Sequence, residues 1–432
     1  MNFGARAAPY WWEEAEPQLS ARATPQETLP ARTDVLVVGA GYSGLSAALT
    51  LARAGREVVV VDSAKPGFGC SSRNGGLIGP SFHKMGLDGL TAAFGQPKAH
   101  AMLRESMESL AWLKRFISDE NIGCGLHLTG RFRGAPQPEN YEAIARECEG
   151  LARATGLRFE MVPKARQHEE IGSEHYHGGV IYPDDGHLHP GLLALGFAQL
   201  VLAAGARIIA PARLTGLRRE GGTFLAEVAG RRICARDVVV ATNGYTGPEL
   251  PFFARRVIPI RSAIIATEPL RNGLMAELSP NNRGFGDSSR LVLYYRPSPD
   301  GARMVFGGRA FDLSDKPQNY VPDLSRLMHR VFPQLRDSRI THAWSGTVAY
   351  TFDHAPHLGS HEGLHFVMGY CGSGVGRAGF YGRKLALKML GDAEGHTELD
   401  GQAFPTRPFY RGRPWFLPAV LRWNSLMDRL GR

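Results

Sequence analysis

The stretch Asp34 to Asp62, DVLVVGAGYSGLSAALTLARAGREVVVVD, constrains this chain more than any other. It reads as a strand, a glycine turn, a helix and a second strand in unbroken succession. VLVVG is a continuous apolar run, the pattern of a parallel strand buried on both faces. Gly39, Gly41 and Gly44 form G-x-G-x-x-G. The first glycine permits a tight turn, the second lets a pyrophosphate approach the backbone, and the third allows the helix to pack closely on the strand. The helix is expected over about Ser43 to Ala54. Its free N–H groups favour a phosphate anion, and Gly55 ends it. EVVVVD is the second strand. Asp62 closes it about 20 residues past the turn, where a carboxylate accepts the hydroxyls of an adenosine ribose. A glycine triplet alone is weak evidence. With its strand, helix, second strand and acid, it is a dinucleotide-binding unit.

The remainder of the chain sets limits. Its 432 residues are 43% hydrophobic and 21% charged, ordinary values for a globular protein with core enough for two or three domains. No uninterrupted apolar run reaches about 18 residues, so no membrane span is expected. The N-terminus lacks the apolar core of a secretion signal. Cys70, Cys124, Cys148, Cys234 and Cys371 are dispersed without C-x-x-C spacing, which argues against a disulfide framework or a zinc site. A reducing cytoplasm is the simplest compartment. The net charge of +9 comes from arginines spread along the chain. Without a basic block interleaved with aromatics, no nucleic-acid partner is expected. A mild positive field can still attract an anionic substrate. His187 with His189, and His354 with His357, lack a third ligand at suitable spacing, so no metal is expected.

Further along, residues 1–32 read as an extended arm anchored by Tyr10, Trp11 and Trp12. Helical periodicity marks 98–120, 139–155, 190–204 and 322–332. YPDDGHLHPG at 182–191 is turn-rich. FLAEVAGRRICARDVVVATNG reads as a hairpin leading into a buried strand, and residues 255–310 are mainly β. The expected class is α/β, with a discontinuous Rossmann-like domain (33–90, 175–250 and 340–395). A β-rich α+β substrate domain (91–174 and 251–339) is inserted in it. A basic, aromatic tail (396–432) reads as a latch that packs on the globule, with a membrane-surface role as the less favoured alternative. An oligomer is compatible with the pattern.

Three more segments narrow the reading: SSRNGG (Ser71–Gly76), DVVVATNGYT (Asp237–Thr246) and GLHFVMGYCGSGVGRAGFYGRKLA (Gly363–Ala386). Together with the first unit, over roughly residues 10–390, they resemble the D-amino-acid oxidase superfamily of FAD-dependent oxidoreductases. Within it the chain is most similar to the branch typified by γ-glutamylputrescine oxidase and glycine or sarcosine oxidases. The resemblance implies FAD. Its expected contacts are Gly39, Gly41, Tyr42, Ser43, Gly44, Asp62 and Ser63 at the first turn. Ser71, Ser72, Arg73, Asn74, Gly75 and Gly76 follow, with Arg213 where the family's backbone contacts adenine, and Ala241, Thr242, Asn243 and Gly244 in the turn after a second strand. Gly346, Gly372, Ser373, Gly374 and Val375 fall near the flavin ring. There, backbone N–H groups stabilise negative charge developing on the ring. Ser71 and Ser72 also read plainly as helix caps, and Arg73 and Asn74 as loop ties. Cys371 does not match the cysteine that carries covalent flavin in sarcosine oxidases, so non-covalent FAD is expected.

The resemblance also implies the chemistry. A neutral amine nitrogen pushes hydride from the neighbouring C–H to the flavin, the imine hydrolyses, and O2 takes the electrons to give H2O2. The substrate is a small primary or secondary amine, or an N-substituted amino acid, with a γ-glutamylated amine among the candidates. Alternatives are a membrane-associated amino-acid dehydrogenase feeding quinone and a non-catalytic flavoprotein. Such chemistry requires an orienting partner for the substrate rather than a strong base. Arg296 and Tyr294 on LVLYYR are expected to line the substrate face, with Tyr295 opposite; a cross-strand salt bridge is the plain alternative for Arg296. His83, Lys84 and His354 are expected beside the flavin, with Arg261 and Arg309 as weaker candidates.

Overall fold

The valine-rich runs around the glycine turn pair with each other at the centre of the first sheet. The computed structural model describes residues 4–82, 85–289, 292–309 and 316–429. Strands are numbered in chain order. The first sheet runs β17 (His357–His361), β18 (Leu364–Met368), β11 (Arg231–Val240), β1 (Arg32–Val38), β2 (Val58–Val61), β8 (Arg207–Ile209). Strand β10 (Thr223–Val228) pairs with β11, and β9 (Leu214–Glu220) with β10. The core ladders are parallel, with Val38 opposite Val61 on one side and Val240 on the other. All four valines of β2 are buried, as the unbroken apolar run requires.

The second sheet is mostly antiparallel. Its order is β16 (Ile340–Tyr350), β12 (Ile258–Thr267), β15 (Met304–Arg309), β14 (Tyr294–Pro297), β13 (Gly284–Asp287), β4 (Arg131–Gly134), β6 (Gly179–Tyr182), β5 (Glu160–Val162). A two-stranded ribbon of β3 (Leu77–Ile78) and β7 (Gly186–His187) lies apart from both. The expected helices occur at Tyr42–Arg53, Gln96–Asp119, Pro138–Thr155, Pro190–Ala203 and Val321–Val331.

Two expectations change. Strands β6 and β16 join the second sheet, although 175–250 and 340–395 were expected to belong to the dinucleotide part. An apolar run reports that a strand is buried but not which sheet buries it. The arm is not extended throughout: Trp12–Ser20 is helical. Its aromatic anchors do engage. Trp11 is fully buried, and its Nε1 donates to the Asn74 carbonyl (2.8 Å) while Trp12 Nε1 donates to Ser72 Oγ (2.8 Å). The tail docks through Tyr410, whose hydroxyl donates to the Val257 carbonyl (2.7 Å). Leu417 and Leu421 pack with Ile258, Ile260 and Tyr350, while Trp415 and Trp423 face solvent. Among the described residues no helix is long and apolar enough to cross a membrane.

The helix Tyr42–Arg53 lies against a second one, Gly374–Met389. Ser46 Oγ donates to the Gly379 carbonyl (2.7 Å). A Cβ added at Gly382 would come within 2.3 Å of the Ser43 carbonyl oxygen. Gly382→Ala must therefore push these helices apart. Overpacking of this kind costs about 1–3 kcal/mol. Urea unfolding should show that loss, and an unchanged midpoint would refute the packing argument.

Candidate active site

A cavity of about 1290 Å³ is walled by residues from both sheets. That exceeds the roughly 300–1,000 Å³ of an ordinary small-molecule site and leaves space for a dinucleotide plus a second ligand. Its first portion is built by the glycine turn. Gly39 has φ +110°, a conformation that disfavours side chains, and a Cβ there would meet the Ala241 carbonyl oxygen at 2.7 Å. Gly41 occupies the N-cap of Tyr42–Arg53 and brings no side chain to close the first turn. Gly44 does not line the cavity; a Cβ there would lie 1.9 Å from the Gly39 carbonyl oxygen, so it serves helix–strand contact.

Asp62 lines the cavity from the end of β2. Its Oδ2 accepts from the Ala40 N–H (2.7 Å) and its Oδ1 from the Ala64 N–H (2.9 Å). Burial raises its pKa, opposed by the N–H groups of Ala64, Ala40 and Ser63. A carboxylate has about four lone-pair sites, so acceptor capacity remains beyond these N–H groups. Tyr42, Ser43, Ser63, Arg213, Ala241, Thr242 and Asn243 complete this portion. Gly244 turns away instead, packed against the Thr347 carbonyl where a Cβ would approach to 2.5 Å.

The SSRNGG loop forms the middle. Ser71 Oγ accepts from the Tyr42 N–H (3.1 Å). Ser72 is fully buried behind the wall, bonded to Trp12, so its expected role as a cavity contact is corrected: the helical arm occupies it. Arg73 and Asn74 line the cavity and also tie the loop. Arg73 donates to the Phe68 and Ser345 carbonyls (2.8 and 3.1 Å), and Asn74 Oδ1 accepts from the Gly76 N–H (2.7 Å). Gly75 and Gly76 line it as well.

The far portion gathers Gly346, Val348 and Tyr350 from β16, Ile260 and Ser262 from β12, Tyr294 from β14, and Gly372 to Val375 from the second glycine turn. No side chain caps the helix Gly374–Met389; the Ser373 hydroxyl instead pairs with Ser81 (2.5 Å). Tyr294 and Ser262 share a hydrogen bond (2.7 Å), and burial raises the phenol's pKa, so it stays neutral. Two glycine-lined helix starts, an acid just past the end of β2 and a chamber beyond them fit FAD.

Other candidates land elsewhere. Arg296 is corrected: it does not line the cavity and is 1% exposed. Tyr294 and Arg296 do share a face of β14, and Tyr295 lies in the core on the other. Two residues along, however, that face is covered by Trp11 and β7. The guanidinium sits 5.0 Å over the Trp11 ring and donates to His187 Nδ1 (2.5 Å). Burial pushes the Arg296 pKa down to about 9, and burial plus Arg296 pushes His187 to about 3. His354 is exposed, with φ +56°, and does not line the cavity, because its loop turns outward. Arg261 lines it. His83, Lys84 and the Arg309 side chain lie outside the described residues. His189 Nδ1 accepts from the Leu192 N–H (3.0 Å) as a helix cap. Sequence reasoning missed Tyr245, Tyr350, Tyr370 and Asp185, all on the wall. Asp185 stood in view in YPDDGHLHPG but read only as a turn.

Asp62→Ala removes charge-assisted hydrogen bonds worth about 1.5–3 kcal/mol. FAD should bind roughly tenfold to hundredfold more weakly, as measured by fluorescence titration of the apoprotein. Unchanged affinity in a folded variant would contradict the assignment.

Comparison with known proteins agrees with this geometry. Residues 34–387 match the family described as FAD dependent oxidoreductase (DAO). The chain is 31% identical over 408 residues to the gamma-glutamylputrescine oxidoreductase of Escherichia coli K12, covering 92% of this chain and 93% of that one. It is 31% identical over 386 residues to a probable oxidoreductase OrdL of Haemophilus influenzae, covering 88% of each. Its fold superposes on glycine oxidase from Geobacillus kaustophilus with TM-score 0.70 at 19% identity, covering 88% of this chain and 99% of that one. With its dinucleotide cradle, its second glycine turn and a match that spans most of its length, the chain belongs to the DAO family of FAD-dependent oxidoreductases.

Proposed function

We propose that this enzyme oxidises a small primary or secondary amine, or an N-substituted amino acid, with O2 as the electron acceptor. The observation that carries the reading is continuity: one cavity joins the nucleotide cradle at Asp62 to a chamber walled by Tyr294, Ser262, Val348 and Tyr350. When bound, FAD supplies a two-electron acceptor for hydride from the carbon beside nitrogen and hands those electrons to O2, giving H2O2. The residues have positioning work only. The neutral Tyr294 phenol, held by Ser262, offers a hydrogen bond rather than a base. Val348 and Ile260 keep the chamber partly apolar. Water then hydrolyses the imine product.

Similarity along 92% of the chain to a gamma-glutamylputrescine oxidoreductase supports a γ-glutamylated amine as one substrate. Non-covalent FAD is supported by the two wall cysteines. Burial pushes Cys70 up to about 12 and raises Cys371, and both thiols are hydrogen-bonded to carbonyls. Thiolate, the attacking form, is therefore suppressed. Five free cysteines support a reducing cytoplasm. A second reading rests on the exposed Trp415 and Trp423: a membrane-surface dehydrogenase that feeds quinone.

The test is a panel of amines on purified FAD-loaded protein. Anaerobic loss of the yellow absorbance, and H2O2 in step with product in air, are expected. A panel that leaves the colour intact rejects catalysis on amines. Bleaching without peroxide favours the quinone reading.

A further inference from the structure

Asp185 sits in the turn between β6 and β7 and lines the cavity, yet nothing above employs it. Its carboxylate is 1% exposed. Oδ2 accepts from Arg131 Nε (2.8 Å), while Oδ1 has no partner. Buried polar atoms are nearly always satisfied, so an exception on a cavity wall calls for a ligand. The backbone around it is cleared for that oxygen pair. Gly79 lies directly against the carboxylate, and a Cβ there would come within 2.3 Å of Oδ2. The Gly79 carbonyl in turn faces Gly376, where a Cβ would lie 3.2 Å away, in the first turn of Gly374–Met389. Asp185 is thus joined through one glycine to the element that forms the chamber's end.

The missing partner must donate a proton and tolerate a carboxylate. Carboxylates and carbonyls fail the first condition, and an alcohol, though it donates to a carboxylate, brings no charge to balance the buried anion. An ammonium group meets both. We infer that Asp185 is the anchor for a cationic nitrogen: its Oδ1 accepts an N–H from the ammonium group of an organic amine bound in the cavity. The inference rests on the amine reading above and deepens it, since it makes Asp185 the residue that selects amines over alcohols of equal shape; the nitrogen binds as the cation and releases one proton to water before the neutral amine can give up hydride. The charged groups that face it are Arg131 on β4, Lys114 on the helix Gln96–Asp119 and the neighbouring Asp184. Gly79 and Gly376 bring none. Burial outweighs Arg131 and pushes the Asp185 pKa up to about 6. The carboxylate is ionised at pH 8 and loses its charge as pH falls through that value.

The probe is tert-butylammonium, whose carbon next to nitrogen has no hydrogen to give up, so it can bind but not react. Titrated into FAD-loaded protein at pH 8, it should perturb the flavin absorbance saturably, and tert-butanol should bind at least tenfold more weakly. Asp185→Asn should weaken tert-butylammonium at least tenfold and leave the tert-butanol response and FAD content unchanged. In the unmutated protein, affinity for the cation should fall as pH drops through about 6. If the Asn variant fails to fold, Arg131→Met decides. Removing the cation that shares the carboxylate should move the pH at which tert-butylammonium binding is lost to a value above about 6, and a pH profile of binding that stays where it was overturns the anchor. So does equal binding of the ammonium and the alcohol, or an unaffected Asp185→Asn. An amine panel that leaves the colour intact while tert-butylammonium still binds would count against the proposed oxidation and not against the anchor.

Discussion

The site depends on how closely the start of one helix can pack against the body of another. The Ser43 carbonyl needs the space that a side chain at Gly382 would fill, and the Ser43 hydroxyl bonds Tyr370 at 2.6 Å at the entrance to the second glycine turn. Both helix N-termini open onto the same cavity. Each exposes N–H groups and a positive dipole end to whatever lies between them. Two elements more than 320 residues apart in sequence thereby become one anion-favouring wall.

Much of this was legible in the sequence because glycine spacing, apolar runs and a carboxylate at a set distance each encode a local geometry. The turn Gly39–Gly44 and the helix after it emerge as read, and Asp62 stands just past the end of β2 on the cavity wall. The five helices read from periodicity fall within a residue or two of their observed ends. What failed was long-range. Strand β16 shows its burial in its composition, but its pairing with β12 is settled by residues nearly eighty positions away. Domain assignment by chain position could not see that.

Arg296 shows the same limit at one residue. Strand alternation put it on the side of β14 that Tyr294 uses, and that is where it lies. Alternation says nothing of what covers a face, and the arm's Trp11 covers this part of it. The result is an arginine buried among His187, Trp11 and the Gly76 backbone, with Nε and one terminal nitrogen unbonded. Asp185 errs in the other direction. Its D-D-G context fits an exposed turn, and only the tertiary fold makes it an interior acid.

The docking of Trp11 has a consequence for the order of assembly. Its ring meets His189 at 5.3 Å and Trp344 at 6.1 Å, and its indole N–H is held by residue 74. None of that berth is complete until Trp344 has been synthesised. Trp11 therefore cannot complete its packing until Trp344 has been made, about 330 residues further on, whereas its neighbour Trp12, which packs on Phe68 and bonds Ser72, has its partners close by in sequence.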